Sequence, residues 1–187
     1  MPTFQNSQLD RFHKRLKTIA GNASGVALIE FAMVLPILIV LFIGGFQLME
    51  ATSVYRKVTT TARSLSDLST QYISITDAEL DGVLDASAQI MAPYAITNGT
   101  YRISLIDVSS TGVSTVGWSK SKNGTALTTG AAYSLPAALK MNGVDVIVCD
   151  VNYTYQPISF FQLLGPLPFK DQIFMIPRGD NTVTKSI

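Results

Sequence analysis

Residues 26–49 form an apolar run of 24 residues, VALIEFAMVLPILIVLFIGGFQLM, in which Glu30 carries the only charge. A helix of that length spans about 36 Å, and the hydrocarbon core of a bilayer is about 30 Å thick. The run therefore predicts a membrane-spanning helix over residues 26–49. A carboxylate inside such a segment is costly in free energy, which makes Glu30 a candidate functional residue.

The charges flanking this run predict its orientation. Residues 1–25 contain four basic and one acidic side chain, a net charge of +3, whereas residues 26–187 contain ten basic and twelve acidic ones, a net charge of −2. Basic residues close to a span mark its cytoplasmic side. We therefore expect residues 1–25 to be a cytoplasmic basic leader and the C-terminal part to lie outside the cytoplasm. No basic patch follows the span, so no nucleic-acid partner is expected.

Two other classes of protein are disfavoured by the same sequence. A secretory signal peptide has a shorter apolar region of about 7–15 residues and a small-residue cleavage site, and neither is found here. The only histidine, His13, lies in the leader, and the only cysteine, Cys149, has apolar neighbours typical of a core. Zinc sites and Ser-His or Cys-His catalysis therefore lack their residues, and no disulfide can form within the chain. We expect no enzyme activity, no metal and no cofactor.

The helix is predicted to continue beyond the membrane. Apolar residues recur at helical spacing after Met49, and no Gly or Pro occurs until Gly82. One helix over residues 26–71 is expected, with residues 50–71 as its extension outside the membrane. Pro36 predicts a kink near residues 32–36, and Gly44-Gly45 a second flexible point. A flexible break is expected before the span, over residues 20–25.

Residues 72–187 have the pattern of a small α+β domain. Thr76 and Glu79 fit a capping box that begins a second helix, which Pro93 ends. Two strands around a turn at residues 109–112 form a hairpin, a short helix is predicted over 135–141, and strands are predicted over 145–156 and 171–177. We expect an antiparallel sheet packed on one or two helices. The aromatic residues Trp118, Tyr153 and Tyr155 are expected to pack within this domain.

The start of the span carries a specific motif. Gly25 is followed by four apolar residues, then Glu30, Phe31 and uninterrupted apolar sequence. This pattern resembles the processing site of type IV pilin-like precursors. The resemblance implies a prepilin peptidase that cuts between Gly25 and Val26, and a new α-amino group that pairs with Glu30 in the same or an adjacent subunit. The competing explanation is that Glu30 extends to the lipid headgroups at the edge of the span.

A longer part of the chain resembles one narrower family. The segment Ala27–Pro36, the following helix with Ala62-Arg63-Ser64, the strand end Tyr153–Pro157 and the segment Met175–Arg178 are similar to TadE/TadG-like proteins of the tight-adherence (Tad, or Flp) pilus system. At 187 residues the chain is closer to the TadE-like than to the much longer TadG-like proteins. An arginine usual before the proline of the last motif is replaced here by Ile176.

The resemblance implies a single-pass protein of the bacterial inner membrane with a periplasmic domain. Its function would be that of a minor pseudopilin or assembly factor, with other pilin-like subunits, the assembly platform and membrane lipid as partners. Glu30 and Phe31 would serve charge pairing and assembly, and Pro36, Gly44 and Gly45 helix flexibility. The alternative is an uncleaved single-pass protein whose periplasmic domain is a sensor or an adhesive binding module.

Overall fold

The computed structural model describes residues 23–157, 163–179 and 182–186. The chain divides into two compact units, Met1–Phe46 and Gln47–Ile187. The expected leader lies outside the described residues as far as residue 22. One helix, α1 (Ala23–Thr70), supplies the described part of the first unit and the beginning of the second.

Helix α1 begins earlier than predicted. Residues 23–25, expected to be part of a flexible break, belong to the helix, and residues 20–22 of that break are outside the described residues. Serine and glycine lower helix propensity by no more than about 1 kcal/mol each, so a long apolar helix can extend through them. The helix also runs through Pro36 without interruption.

The second half of α1 packs through one narrow face. Its buried apolar residues follow one another at intervals of three or four, as expected for a helix with one face on a core. These residues are Ala51, Val54, Val58, Ala62 and Leu65. The pattern confirms the predicted extension of the helix beyond the apolar run.

Helix α2 (Asp77–Met91) begins at the predicted capping box. The Thr76 hydroxyl accepts a hydrogen bond from the Glu79 amide at 3.2 Å, and the Glu79 carboxylate accepts one from the Thr76 amide at 2.7 Å. Each of the two side chains thus accepts a hydrogen bond from a backbone amide at the helix start, where amides lack helical acceptors. The helix ends at Met91, two residues before Pro93, and it buries Leu80, Val83 and Leu84.

Four antiparallel strands form the main sheet of the second unit. They are β2 (Gly99–Val108), β3 (Ser114–Lys122), β4 (Val146–Tyr155) and β5 (Leu167–Met175), in the order β3-β2-β4-β5. The predicted hairpin is β2–β3, and β4 is the strand predicted over residues 145–156. A bulge at Gly117 in β3, opposite Leu105 and Ile106, shifts the register, so Val116 and Trp118 lie on opposite faces of the sheet although they are two residues apart.

One face of the sheet packs with α1 and α2 in the larger core. Tyr101, Ile103, Cys149 and Val151 belong to this core, which also includes the buried residues of both helices. A smaller core on the other face contains Ile106, Val108 and Val148. The structure thus confirms the predicted α+β fold, with an antiparallel sheet on two helices.

Three details differ from the sequence predictions. Strand β5 begins at Leu167 rather than at 171, because Pro168 is tolerated in an edge strand. The helix predicted over 135–141 is a single 3₁₀ turn, Ala137–Leu139, since so short a segment gains few helical hydrogen bonds. Two short strands, β1 (Ser74–Ile75) and β6 (Thr184–Lys185), form an unpredicted parallel pair.

Leu65→Ala should destabilise the second unit strongly. Leu65 is 0% exposed in the larger core, and truncation of a buried leucine costs about 2–5 kcal/mol of unfolding free energy. Leu68→Ala is the matched control one turn later, where the leucine is 36% exposed and the expected cost is about 0.5 kcal/mol. Urea unfolding of the detergent-solubilised protein, followed by Trp118 fluorescence, measures both; equal losses would contradict this packing.

Candidate membrane and assembly site

Helix α1 has a fully exposed apolar half. All side chains described from residue 25 to 42 are exposed, and large apolar ones predominate. Among the described residues, one helix is long and apolar enough to cross a membrane, Gly25–Thr70, and no residue of its most apolar stretch of 18 residues is buried. Such a surface is unfavourable in water and favourable in lipid. The helix therefore indicates single-pass membrane anchoring.

The residues of the predicted processing site lie within the first turns of α1. Gly25 and Val26 are helical, and a side chain at Gly25 would meet no atom within 4 Å. Packing within the described chain therefore does not require glycine at this position.

Glu30 lies one helical turn beyond Val26 on the same face. Residues four apart on a helix have Cβ atoms about 5–6 Å apart. The Glu30 side chain is exposed, as is that of Phe31. Within the described residues no Lys or Arg nitrogen lies within 4 Å of its carboxylate. The chain thus places Glu30 beside the amide that cleavage would convert to an amine.

The residues predicted to make the helix flexible lie in regular helix. Pro36 and Gly44-Gly45 are inside α1, and a side chain at Gly45 would also meet no atom within 4 Å. Gly45 is one residue before the end of the first unit at Phe46. Bending at these positions stays a prediction.

Two polar side chains near the start of the second unit were not singled out from the sequence. The Gln47 side-chain oxygen accepts a hydrogen bond from the Leu164 amide at 3.0 Å, and Gln47 is fully buried. The Tyr155 hydroxyl donates to the Glu50 carboxylate at 2.6 Å. These contacts tie the first turn of this unit to the end of β4 and to the loop before β5. A glutamine within the apolar run is the sequence signal that could have identified the first of them.

The C-terminal motifs secure the other end of α1. The Arg178 guanidinium forms an ion pair with Asp67, and its backbone amide donates to the Thr70 carbonyl at 3.1 Å. The Trp118 indole N–H donates to the Val183 carbonyl at 2.8 Å. Trp118, Tyr153 and Tyr155 are all buried, which confirms that they pack within the domain. The segment resembling a terminal family motif therefore has a structural role in this chain.

The described residues offer little for cofactor chemistry. No group of three or more His, Cys, Asp or Glu side chains that could hold a metal occurs in the parts of the chain that the structure describes. Cys149 is buried, and burial raises the pKa of its thiol to about 12, which keeps it protonated and unreactive at neutral pH.

Comparison with known proteins gives one family match, and it lies within helix α1. Residues 25–65 match the family described as TadE-like protein. This match includes the predicted processing site, the exposed apolar half of α1 and most of its buried face, and it confirms the resemblance found in the sequence. No curated protein and no solved structure matches the chain. The TadE-like family links the chain to the Tad pilus and is not an enzyme family.

The Tyr155→Phe variant should lose less unfolding free energy than the wild type as the pH rises above about 10. Burial, followed by the hydrogen bond to Glu50, raises the pKa of Tyr155 in the folded protein, whereas an unfolded tyrosine titrates near pH 10. Above about pH 10 the unfolded chain loses a proton that the folded protein keeps, so the unfolding free energy falls by about 1.4 kcal/mol per pH unit.

Urea unfolding of wild type and variant over a series of alkaline pH values measures this difference. The variant should lack the contribution of one tyrosine, while Tyr101, whose pKa is also raised by burial, contributes to both slopes. Identical slopes for the two proteins would show that Tyr155 titrates normally in the folded state.

Proposed function

We propose that this protein is a minor pseudopilin or assembly factor of a Tad-type pilus in the bacterial inner membrane. The observation that carries the proposal is the TadE-like match over residues 25–65. The matched segment contains both the exposed apolar half of one helix and the buried face that holds the second unit. A helix with these two properties suits a subunit that packs in lipid while presenting a folded domain outside.

The proposed topology follows the sequence boundaries. Residues 1–25 form a cytoplasmic leader, 26–49 the transmembrane helix, 50–71 its extension and 72–187 a periplasmic domain. The net charge of +3 on the leader supports this orientation. Partners are a prepilin peptidase, other pilin-like subunits, the inner-membrane assembly platform and surrounding lipid.

Glu30 would act through charge pairing. Cleavage after Gly25 converts the amide nitrogen of Val26 into an α-amino group, which is cationic at neutral pH and lies one helical turn from the carboxylate. A carboxylate in a low-dielectric layer needs such a partner, because the desolvation of an unpaired charge costs several kcal/mol. Pairing with the amine of an adjacent subunit would also fix the register of two helices.

Phe31 and the flexible positions would support the same process. Phe31 extends the exposed apolar surface next to the charge, where a neighbouring helix would cover it. Pro36 leaves one helical carbonyl without its usual backbone donor, and Gly44-Gly45 has no side chains to restrict bending. These positions would let α1 adapt when the subunit moves from the bilayer into an assembly.

Gly25→Leu should block removal of the leader. A peptidase that recognises glycine before the scissile bond would not accept a bulky side chain, although the open space at this position leaves folding unaffected. Gly45→Leu is the matched control, since its site is equally open but lies far from the cut. Intact mass of membrane-extracted protein should show Val26 first in wild type and control, and Met1 or Pro2 first in Gly25→Leu.

A wild-type protein with an intact leader would overturn the proposal of cleavage. It would favour the alternative, an uncleaved single-pass protein whose domain is a sensor or an adhesive module.

Glu30→Ala should reduce incorporation into the pilus assembly while leaving the second unit folded. The charge pair would be lost, but Glu30 belongs to the first unit and not to the second. Leu38→Ala is the control, because Leu38 is an exposed apolar residue of the same helix. Co-purification with other pilin-like subunits and counts of surface pili measure the effect. Normal piliation by Glu30→Ala would exclude the charge-pairing role.

A further inference from the structure

The segment that leads into β5 and includes its first residues is apolar to an unusual degree. Residues 163–169 read LLGPLPF and contain no polar side chain. Loops at protein surfaces are ordinarily polar and rich in hydrogen-bonding side chains. Leu163 is nevertheless 47% exposed, and Pro166 and Pro168 are exposed as well. We refer to Leu163–Pro168 as the apolar loop.

A hydrogen bond holds this loop at the level of the last turn of the apolar run. Gln47 belongs to the run that ends at Met49, and its side-chain oxygen accepts the Leu164 amide hydrogen at 3.0 Å. A turn of helix rises about 5.4 Å, so Gln47 lies within one turn of the end of the run. The loop backbone is therefore fixed beside residues whose composition is that of a membrane span. Leu48 and Met49, next to Gln47, are themselves exposed apolar residues.

The backbone of the loop is suited to an environment poor in water. An amide without a hydrogen-bond partner is costly in lipid, and irregular backbone at membrane depth is tolerated only where its polar groups are satisfied. Pro166 and Pro168 have no N–H to satisfy. The Leu164 amide is bonded to Gln47, and Leu167 pairs with Tyr155 at the start of β5. Two of the six residues of the loop thus have no N–H, and a third, Leu164, donates its N–H to Gln47.

We propose that the apolar loop is a second membrane contact, which lies in the interfacial layer of the bilayer beside the emerging helix α1. Leu163, Pro166 and Pro168 would face lipid. Glu50 and Lys170, the charged residues that follow in each segment, would mark the polar boundary of the headgroups. The inference depends on membrane insertion of α1 and not on a role in a pilus.

Lipid is favoured over a protein partner because the loop is bonded to Gln47, one of the last residues of the predicted span. The exposed apolar residues at 48, 49 and 163 adjoin a run that is predicted to end at this level. A layer of lipid would cover them without any specific complementarity. A protein partner would have to reach the same layer, and the experiment below has an outcome that would reveal such a partner.

A fluorescent label at position 163 tests the proposal. Leu163→Cys is labelled with an environment-sensitive dye in the full-length protein, which is then reconstituted in vesicles of phosphatidylethanolamine and phosphatidylglycerol. Cys149 is fully buried, so it stays unlabelled in the folded protein. Quenching by a lipid nitroxide near the headgroups is compared with quenching by iodide in the aqueous phase.

Val113→Cys is the matched control. Val113 is an apolar residue, 58% exposed, in the turn between β2 and β3. The strand pairings put this turn at the opposite end of the sheet from Leu167, about 30 Å away along β4. Pro166→Cys provides a second position in the loop, and native Trp118 fluorescence verifies that each labelled variant is folded.

The expected result is lipid quenching several-fold stronger at 163 and 166 than at 113, with the reverse order for iodide. Iodide quenching at 163 as strong as at 113 would overturn the proposal, because the loop would then face water. Protection of position 163 from both quenchers would also overturn it, because protein would cover the loop. Neither failure would affect the cleavage or piliation experiments, which test the pilus role separately.

Discussion

The rest of this structure depends on one helix whose two parts need different surroundings, lipid for the first part and a protein core for the second. From residue 25 to 42 its side chains are exposed and mostly apolar, whereas from Ala51 to Leu65 one face is buried against a sheet. An apolar surface of the first kind is stable only in lipid or against other apolar helices. The second kind provides the folded domain with a large part of its core. Both requirements act on one uninterrupted backbone, so the composition changes without a turn between them.

Contacts at both ends of its C-terminal half keep that helix in register with the sheet. Gln47 and Glu50 bond to Leu164 and Tyr155 at one end. Asp67 pairs with Arg178 at the other. Residues far apart in the sequence thus meet on the helix, and the last described segment is held by Trp118 through the Val183 carbonyl. Side-chain packing alone could allow sliding by a turn, but directional bonds at two places specify one position.

The sequence was informative where a pattern is local, and less so where partners are distant. The helical repeat of Val54, Val58 and Leu65, the capping box at Thr76 and the β-branched and aromatic composition of β4 each depend on neighbouring residues, and all three elements were predicted correctly. The β1–β6 pair could not be predicted, since strands of two residues carry no periodicity and their pairing joins Ser74 to Thr184. The bonds of Gln47 and Glu50 were missed for the same reason, because their partners lie more than 100 positions away.

Three polar side chains of α1, those of Gln47, Glu50 and Glu30, differ in the partners they have among the described residues, and this difference bears on assembly. Gln47 and Glu50 find partners within the chain, although one of them lies in the apolar run. Glu30, also in that run, has no cationic partner among the described residues. In an uncleaved chain the nitrogen of Val26 is an amide, which carries no charge, so Glu30 would have to reach water or headgroups. In a cleaved chain the same nitrogen becomes a cation one turn away. The domain thus supplies partners for Gln47 and Glu50, whereas for Glu30 the proposed processing would supply a cation that the described residues do not.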